Sequence, residues 1–263
     1  MGSRLLDGKV VVVSGVGPGL GYQVATAAAA AGASVVLGAR NDGYLSEVEA
    51  EIAATGGAAA ASRCDVTSAA DCQALIETAV ERFGRLDCLV NNAYATGPMT
   101  VPVAEADFDD WRQAFDVTLF GSLRLTQAAV AVMREQGDGA VIFVGSQIVR
   151  RVLPGRGSYA AGKAALLAAA QVLAREVGED GIRVNTIVPG RMWGPNLQRW
   201  YETRAAERGV TVEEELAPVR ELIALGDIPS DADVAGAVLF LASDLSIAMT
   251  GQTVDVNGGE TFN

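Results

Sequence analysis

The chain contains no histidine. That absence removes Ser-His-Asp and Cys-His catalysis, imidazole-ligated zinc and any histidine pH switch. Cysteine is nearly as scarce. Cys64, Cys72 and Cys88 are odd in number and lack C-x-x-C spacing, so neither a disulfide framework nor a metal site is expected, and a reducing cytoplasm fits. Basic charge is also short: 20 Lys and Arg face 32 Asp and Glu, giving a net charge of -12 and a pI near 4.5. Such a surface repels phosphate backbones and anionic lipid heads, so neither nucleic acid nor a membrane is an expected partner. Lysine is scarcest of the cations, with Lys9 and Lys163 beside eighteen arginines. Where a bare positive charge suffices the chain uses Arg, so Lys163 asks for a chemical explanation. Met1 to Asp7 shows neither a charged region followed by an apolar core nor a small-residue cleavage site, so no secretory signal is expected and the mature chain is taken to begin at Met1.

Against these absences stand 30 glycines and a half-apolar chain of 263 residues, a length that one α/β domain can fill, with a core large enough to need no staples. Residues 1–263 are accordingly read as one domain. Val10 to Ala39 carries no formal charge and would pass for a membrane span, but Gly15, Gly17, Pro18, Gly19 and Gly21 divide it into strand, turn, helix and strand. Strand-like runs follow at Val10 to Ser14, Ser34 to Gly38, Ala58 to Arg63, Asp87 to Asn91, Ala140 to Gly145, Ile182 to Val188 and Thr253 to Val256. Helical periods lie at Leu20 to Ala31, Tyr44 to Ala54, Ala69 to Phe83, Phe108 to Gln136, Ser158 to Val177 and Ala232 to Ala242, with Asp107 and Ser230 at N-cap positions. Alternation of this kind implies a doubly wound α/β fold: a seven-stranded parallel sheet with helices on both faces. The segment from about 190 to 229 reads as an irregular lid.

Ser14, Gly15, Gly17, Gly19, Leu20 and Gly21 follow the first strand and open the first helix, where free amides and the helix dipole favour a pyrophosphate. The glycines at 15, 19 and 21 do not make the G-x-G-x-x-G pattern, because position 20 is Leu, so the placement carries the signal. Tyr159 and Lys163, four apart on a helix, put a phenol and an ammonium on one face. A cation beside a phenol favours phenolate and brings proton transfer toward neutral pH. Ser146, at a strand end, offers a hydroxyl to hold a carbonyl oxygen.

Through Ser14 to Gly21, Cys64-Asp65-Val66, Asn91-Asn92-Ala93, Ser146, Tyr159-x-x-x-Lys163, Pro189-Gly190 and the closing Gly251 to Gly259, the chain resembles the short-chain dehydrogenases/reductases over nearly its whole length. The resemblance implies that Tyr159 exchanges a proton with the substrate oxygen, that Ser146 orients that oxygen, and that Lys163 lowers the Tyr159 pKa and holds the nicotinamide ribose. It implies adenine contacts from Asp65 and Val66, and further cofactor contacts from Asn91, Ala93, Pro189, Gly190 and Met192. It also implies a homotetramer or homodimer built on the helices beginning near Phe108 and Ser158.

Three positions depart from the family pattern: Thr118 where a relay Asn is usual, Tyr94 where Gly is usual, and Gly194 where a Thr is common. Thr118 is expected near Lys163. The second strand ends in Ala39-Arg40, with no acid for a ribose diol and an Arg suited to a 2′-phosphate, so NADP(H) is favoured over NAD(H). Tyr94, Gln147, Leu153, Trp193 and Trp200 are candidate substrate contacts for an apolar or ring-bearing carbonyl or alcohol, while Trp200 and Tyr201 are equally suited to packing the lid. Arg150 and Arg151, close after Ser146, are placed to receive a carboxylate, but two adjacent arginines read first as a solvated loop. The expected activity is hydride transfer between a nicotinamide and a carbonyl or alcohol. The alternatives are a catalytically impaired cofactor-binding sensor or scaffold, and an enoyl reductase, which the four-residue Tyr-Lys spacing disfavours.

Overall fold

The protein is described by a computed structural model over residues 4–262. Seven strands, β1 (Val10–Ser14), β2 (Ser34–Ala39), β3 (Ala58–Arg63), β4 (Cys88–Asn91), β5 (Gly139–Val144), β6 (Ile182–Pro189) and β7 (Thr253–Val256), form one sheet in the order β3-β2-β1-β4-β5-β6-β7. Every pairing is parallel, with Val11 opposite Val35 on one side and Cys88 on the other. Alternate residues of each strand face opposite layers. Val11, Val13, Val35 and Leu37 join a core beneath α1 (Leu20–Ala30), α2 (Asp42–Ala54) and α9 (Asp231–Ala242). Val10, Val12, Val36 and Leu89 join a second core beneath α3 (Ala69–Phe83), α5 (Ser122–Gln136) and α6 (Gly157–Val177). The expected doubly wound architecture is thus the observed one.

The helix starts follow from local chemistry. Asn41, Ser68 and Asp107 accept amide hydrogen bonds at the heads of α2, α3 and α4 (Phe108–Phe115), and Ser230 with Asp233 makes a complete capping box on α9. Order reverses between β1 and β4, so the crevice past their C-terminal ends is where this topology places a ligand.

Two expectations need correction. The helix read as continuous from Phe108 to Gln136 is interrupted by a π-helical stretch, Asp116–Gly121, between α4 and α5. Its middle is tied down by Thr118, whose hydroxyl accepts from the Ala95 amide and donates to the Ala95 carbonyl, both at 3.0 Å. The lid is not irregular either: it holds α7 (Pro195–Arg208) and α8 (Val212–Arg220), around a small core of Tyr201, Leu216, Ile223 and Ile228.

Candidate active site

Ser146 lies just past β5, and its Oγ accepts from the Ile148 amide at 3.2 Å. Tyr159, from the first turns of α6, lines the same pocket as Ser146. One turn on, Lys163 is 2% exposed and donates from Nζ to the Val144 carbonyl at 2.6 Å. The structure therefore brings Ser146, Tyr159 and Lys163 to one place. Burial, the largest influence on Tyr159, pushes its phenol up to about 12, with Ser146 and the charge of Arg156 pulling the other way. Burial pushes the Lys163 ammonium down to about 7.

Tyr94, in the bulky position that replaces a glycine, is half exposed and stands over this pair. Its ring lies 5.1 Å from Lys163 Nζ and 6.0 Å from the Tyr159 ring, at 47°. Thr118 packs beside Gly162, next to Lys163, but its hydroxyl is saturated by Ala95.

On the β1 side, a cavity of about 380 Å³ is lined by Ser14, Gly15, Gly17, Arg40, Asp65 and Val66, with Ala93 and Tyr94 at its other wall. Gly15 has φ +80°, and a side chain there would meet the Ala93 amide at 2.6 Å; Gly21 leaves no room against the Gly15 carbonyl. These two glycines let β1, α1 and the exit of β4 close on one another. Gly17 has nothing within 4 Å of a side-chain position and opens on the cavity. Gly19 heads α1 without a side-chain cap, and no acid stands in the first turn, leaving amides for an anion. Leu20 is buried in the core rather than facing the cavity, and Met192 packs against the same core. Asn91 is buried, donates from Nδ2 to Thr126 Oγ1 at 2.9 Å, and keeps an unpartnered Oδ1. Asp65 is engaged by Thr67 through its amide (3.0 Å) and hydroxyl (2.7 Å), which with Arg40 hold the carboxyl below its usual range. The glycine cradle and the uncapped helix head beside this cavity fit a dinucleotide, whose diphosphate the α1 amides would hold.

On the other side of Ser146 and Tyr159 a larger pocket of about 830 Å³ is lined by Gln147, Leu153, Gly190, Leu197 and Trp200. Of the proposed substrate contacts, Gln147, Leu153 and Trp200 line it. Tyr94 instead faces the cofactor cavity. Trp193 packs into the lid core, 6.0 Å from the Tyr201 ring, with its amide on Pro229. Trp200 and Tyr201 both line the pocket, but Tyr201, 3% exposed, also packs the lid core, whereas Trp200 is half exposed. Pro189 ends β6, and a side chain on Gly190 would meet Asn257 at 2.7 Å.

Several participants had no signal in the sequence. Glu260, from the tail, is buried and bridges Arg151 and Arg191, and accepts from Gln147 Nε2 at 3.0 Å. Arg150, expected to be solvated, pairs with Asp255 at 3.4 Å. Asp231 fills the space that a side chain on Gly194 would take, and burial pushes its carboxyl up. Among the described residues no cluster of His, Cys, Asp and Glu could hold a metal ion, and no helix is long and apolar enough to cross a membrane.

Comparison with known proteins agrees with this arrangement. A family profile described as Enoyl-(Acyl carrier protein) reductase matches residues 15–261. The 7alpha-hydroxysteroid dehydrogenase of Escherichia coli is 34% identical over 254 residues, covering 97% of this chain and 94% of that protein. The 3-oxoacyl-(acyl-carrier-protein) reductase of Synechocystis sp. is 32% identical over 256 residues, 97% of each. A solved 7 alpha-hydroxysteroid dehydrogenase, complexed with NADH and 7-oxo glycochenodeoxycholic acid, matches with a TM-score of 0.87 at 32% identity, covering 98% of this chain and 97% of that one.

Proposed function

The chain belongs to the short-chain dehydrogenase/reductase family and is a nicotinamide-dependent oxidoreductase of alcohols and carbonyls, and within that activity we propose that Tyr159 is the acid/base, Ser146 the group orienting the substrate oxygen, and Lys163 the cation holding the cofactor ribose. The observation that carries this reading is the convergence of Ser146 and Tyr159 on the wall of the 830 Å³ pocket, with Lys163 one turn on and tied to the Val144 carbonyl at the strand end that presents Ser146. The nicotinamide, when bound, supplies or accepts the hydride. Tyr159 supplies the matching proton: a phenol that burial holds near 12 keeps its proton at neutral pH, so its resting form is a donor to a carbonyl oxygen. Ser146 aims that oxygen at the phenol by hydrogen bonding. Leu153 and Trp200 offer apolar and ring surface to an apolar or ring-bearing substrate, and the solved relative is complexed with 7-oxo glycochenodeoxycholic acid.

The cofactor is read as NADP(H) in preference to NAD(H). Arg40 lines the adenine end, pairs with no carboxylate among the described residues, and follows Ala39 where a diol-binding acid is missing. Arg40→Ala is expected to weaken NADPH binding about 10-fold or more and NADH binding little, by fluorescence titration; equal losses would assign the site to NAD(H). The reading also takes 1–263 as one catalytic domain closed by the lid, working as a cytoplasmic homotetramer or homodimer on a small molecule.

Cofactor oxidation over a panel of ketones, aldehydes and enones tests the whole. Tyr159→Phe is expected to lower ketone reduction by about 10²–10⁴-fold with cofactor affinity kept. Undiminished turnover would remove Tyr159 from the chemistry, and cofactor binding with no turnover on any compound would favour a sensor. Enoyl reduction is the second reading, suggested by the description of the matching profile; consumption of enones at the C=C bond, with ketones inert, would establish it.

A further inference from the structure

Five arginines line the pocket that Ser146 and Tyr159 share: Arg151, Arg156, Arg191, Arg204 and Arg208. In a chain of net charge -12 this concentration of cations is out of character. Four of them are held in ion pairs that share two carboxylates. Arg151 and Arg191 meet the buried Glu260, and Arg204, at 2.7 Å, and Arg208 meet the buried Glu215. Arg156 is different. It pairs with no carboxylate among the described residues, and its side chain meets the neutral Met99 thioether, 3.5 Å from Nη1.

The location of Arg156 is specific. It immediately precedes α6, three residues before Tyr159, and its side chain faces the same pocket. The Tyr159 phenol feels its charge. A half-buried guanidinium with no counter-ion, beside the reacting hydroxyl, has lost part of its hydration and gains most from a planar anion able to take two parallel hydrogen bonds. Carboxylate is that anion, and the other four arginines of the wall are already drawn to Glu260 and Glu215.

We propose that Arg156 is the seat for a carboxylate on the substrate, so that the preferred substrates are keto acids, or the matching hydroxy acids, with the anionic group a few bonds from the reacting carbon and apolar or ring atoms toward Leu153 and Trp200. This rests on the oxidoreductase reading above and adds the chemical class that the site selects. Nothing in the hydride transfer changes; the carboxylate remains a spectator that fixes orientation, and the arginine is a specificity-determining residue.

The test uses benzoylformate and 4-oxo-4-phenylbutanoate, each with its methyl ester, which keeps ring and ketone but removes the charge. The kcat/KM ratio of acid to ester is measured for the wild-type protein and for Arg156→Gln and Arg156→Lys. The expected wild-type ratio for the better-fitting pair is about 10 or more, falling about 10-fold or more in Arg156→Gln and partly restored in Arg156→Lys. The ratio is internal to each variant, so general damage to the fold cancels. A wild-type ratio near one, or a ratio unmoved in Arg156→Gln, would overturn the carboxylate seat while leaving ketone reduction in place. A rise confined to the cofactor KM in Arg156→Gln would assign the residue to the cofactor and overturn it as well. Failure of every acid, ester and neutral ketone to consume cofactor would instead remove the underlying reading, and this proposal with it.

Discussion

Lys163 is a cation held where cations are costly. It is 2% exposed, its ammonium meets one carbonyl and the face of the Tyr94 ring, and burial lowers its pKa from 10.5 to about 7. Between those two values the unfolded chain holds a proton that the folded chain has released, so this group makes stability rise with pH through the window, and its cost is complete below about 7. Lys163→Met is therefore expected to raise the urea midpoint at about pH 6, by an amount on the order of a few kcal/mol, and to flatten the rise toward alkaline pH. Urea melts at the two ends of the window check this, and a variant less stable than wild type at the acid end would contradict it. Tyr159 has the opposite shift, from 10.0 up to about 12. On the acid/base role proposed for Tyr159, ketone reduction at saturating cofactor, where titration of Lys163 does not limit binding, is expected to stay flat from about pH 6 to 9, while alcohol oxidation climbs with pH, as initial rates in the two directions will tell. Both residues are legible from their four-residue spacing. Arg156 is not, because an arginine three residues before Tyr159 acquires meaning only when Glu260 and Glu215 are seen to occupy its neighbours. Nor is the partnership of Gly194 with Asp231, which joins residues distant in sequence across the site.

At the level of elements, the strands were readable because each is a short apolar run between glycines or polar turns, and β1, β3 and β7 have the expected ends. The lid was not. Among the residues of α7 only Tyr201 and Ala205 are buried, and Arg199, Glu202, Arg204 and Glu207 leave too thin an apolar stripe to register as a period. The π-helical stretch escaped for another reason. It inserts a widened turn into a helix whose apolar spacing continues on both sides, and what holds it is one hydroxyl reaching the loop after β4. Thr118→Val keeps the volume and removes both hydrogen bonds, leaving the Ala95 amide and carbonyl unserved. A loss of about 1–3 kcal/mol is expected in urea unfolding, together with weaker cofactor binding, since residues 93–95 line that cavity. An unchanged midpoint would mean that the bulge is held by backbone geometry alone. On α9, Ser230→Ala removes the capping box and is expected to cost about 1 kcal/mol in the same experiment.

For the whole molecule the surface poses a question that one chain does not answer. Phe108, Phe120 and Val172 are each half exposed or more, although the chain has ample polar surface to cover them. Phe108 and Phe120 lie with Trp111 and Phe115 along one open groove of about 730 Å³. Val172 lies with Leu123, Val130 and Leu173 along another of about 590 Å³ between α5 and α6. Contiguous apolar patches of this kind mark surfaces that close on a partner. Because both run along the helices that also carry the π-helical stretch, Tyr159 and Lys163, a second copy seated there would brace the active site from outside, and symmetry would bury the same patch twice. The wild-type protein is therefore expected to sediment at two or four times the 27.1 kDa of the chain. Val172→Arg places a charge in the middle of the α5–α6 face and is expected to reduce the assembly by at least one step, with a lower melting temperature and a loss of activity that higher protein concentration partly restores. A wild-type mass of 27.1 kDa at micromolar concentration would refute the assembly and leave both grooves as surface without a partner of their own kind.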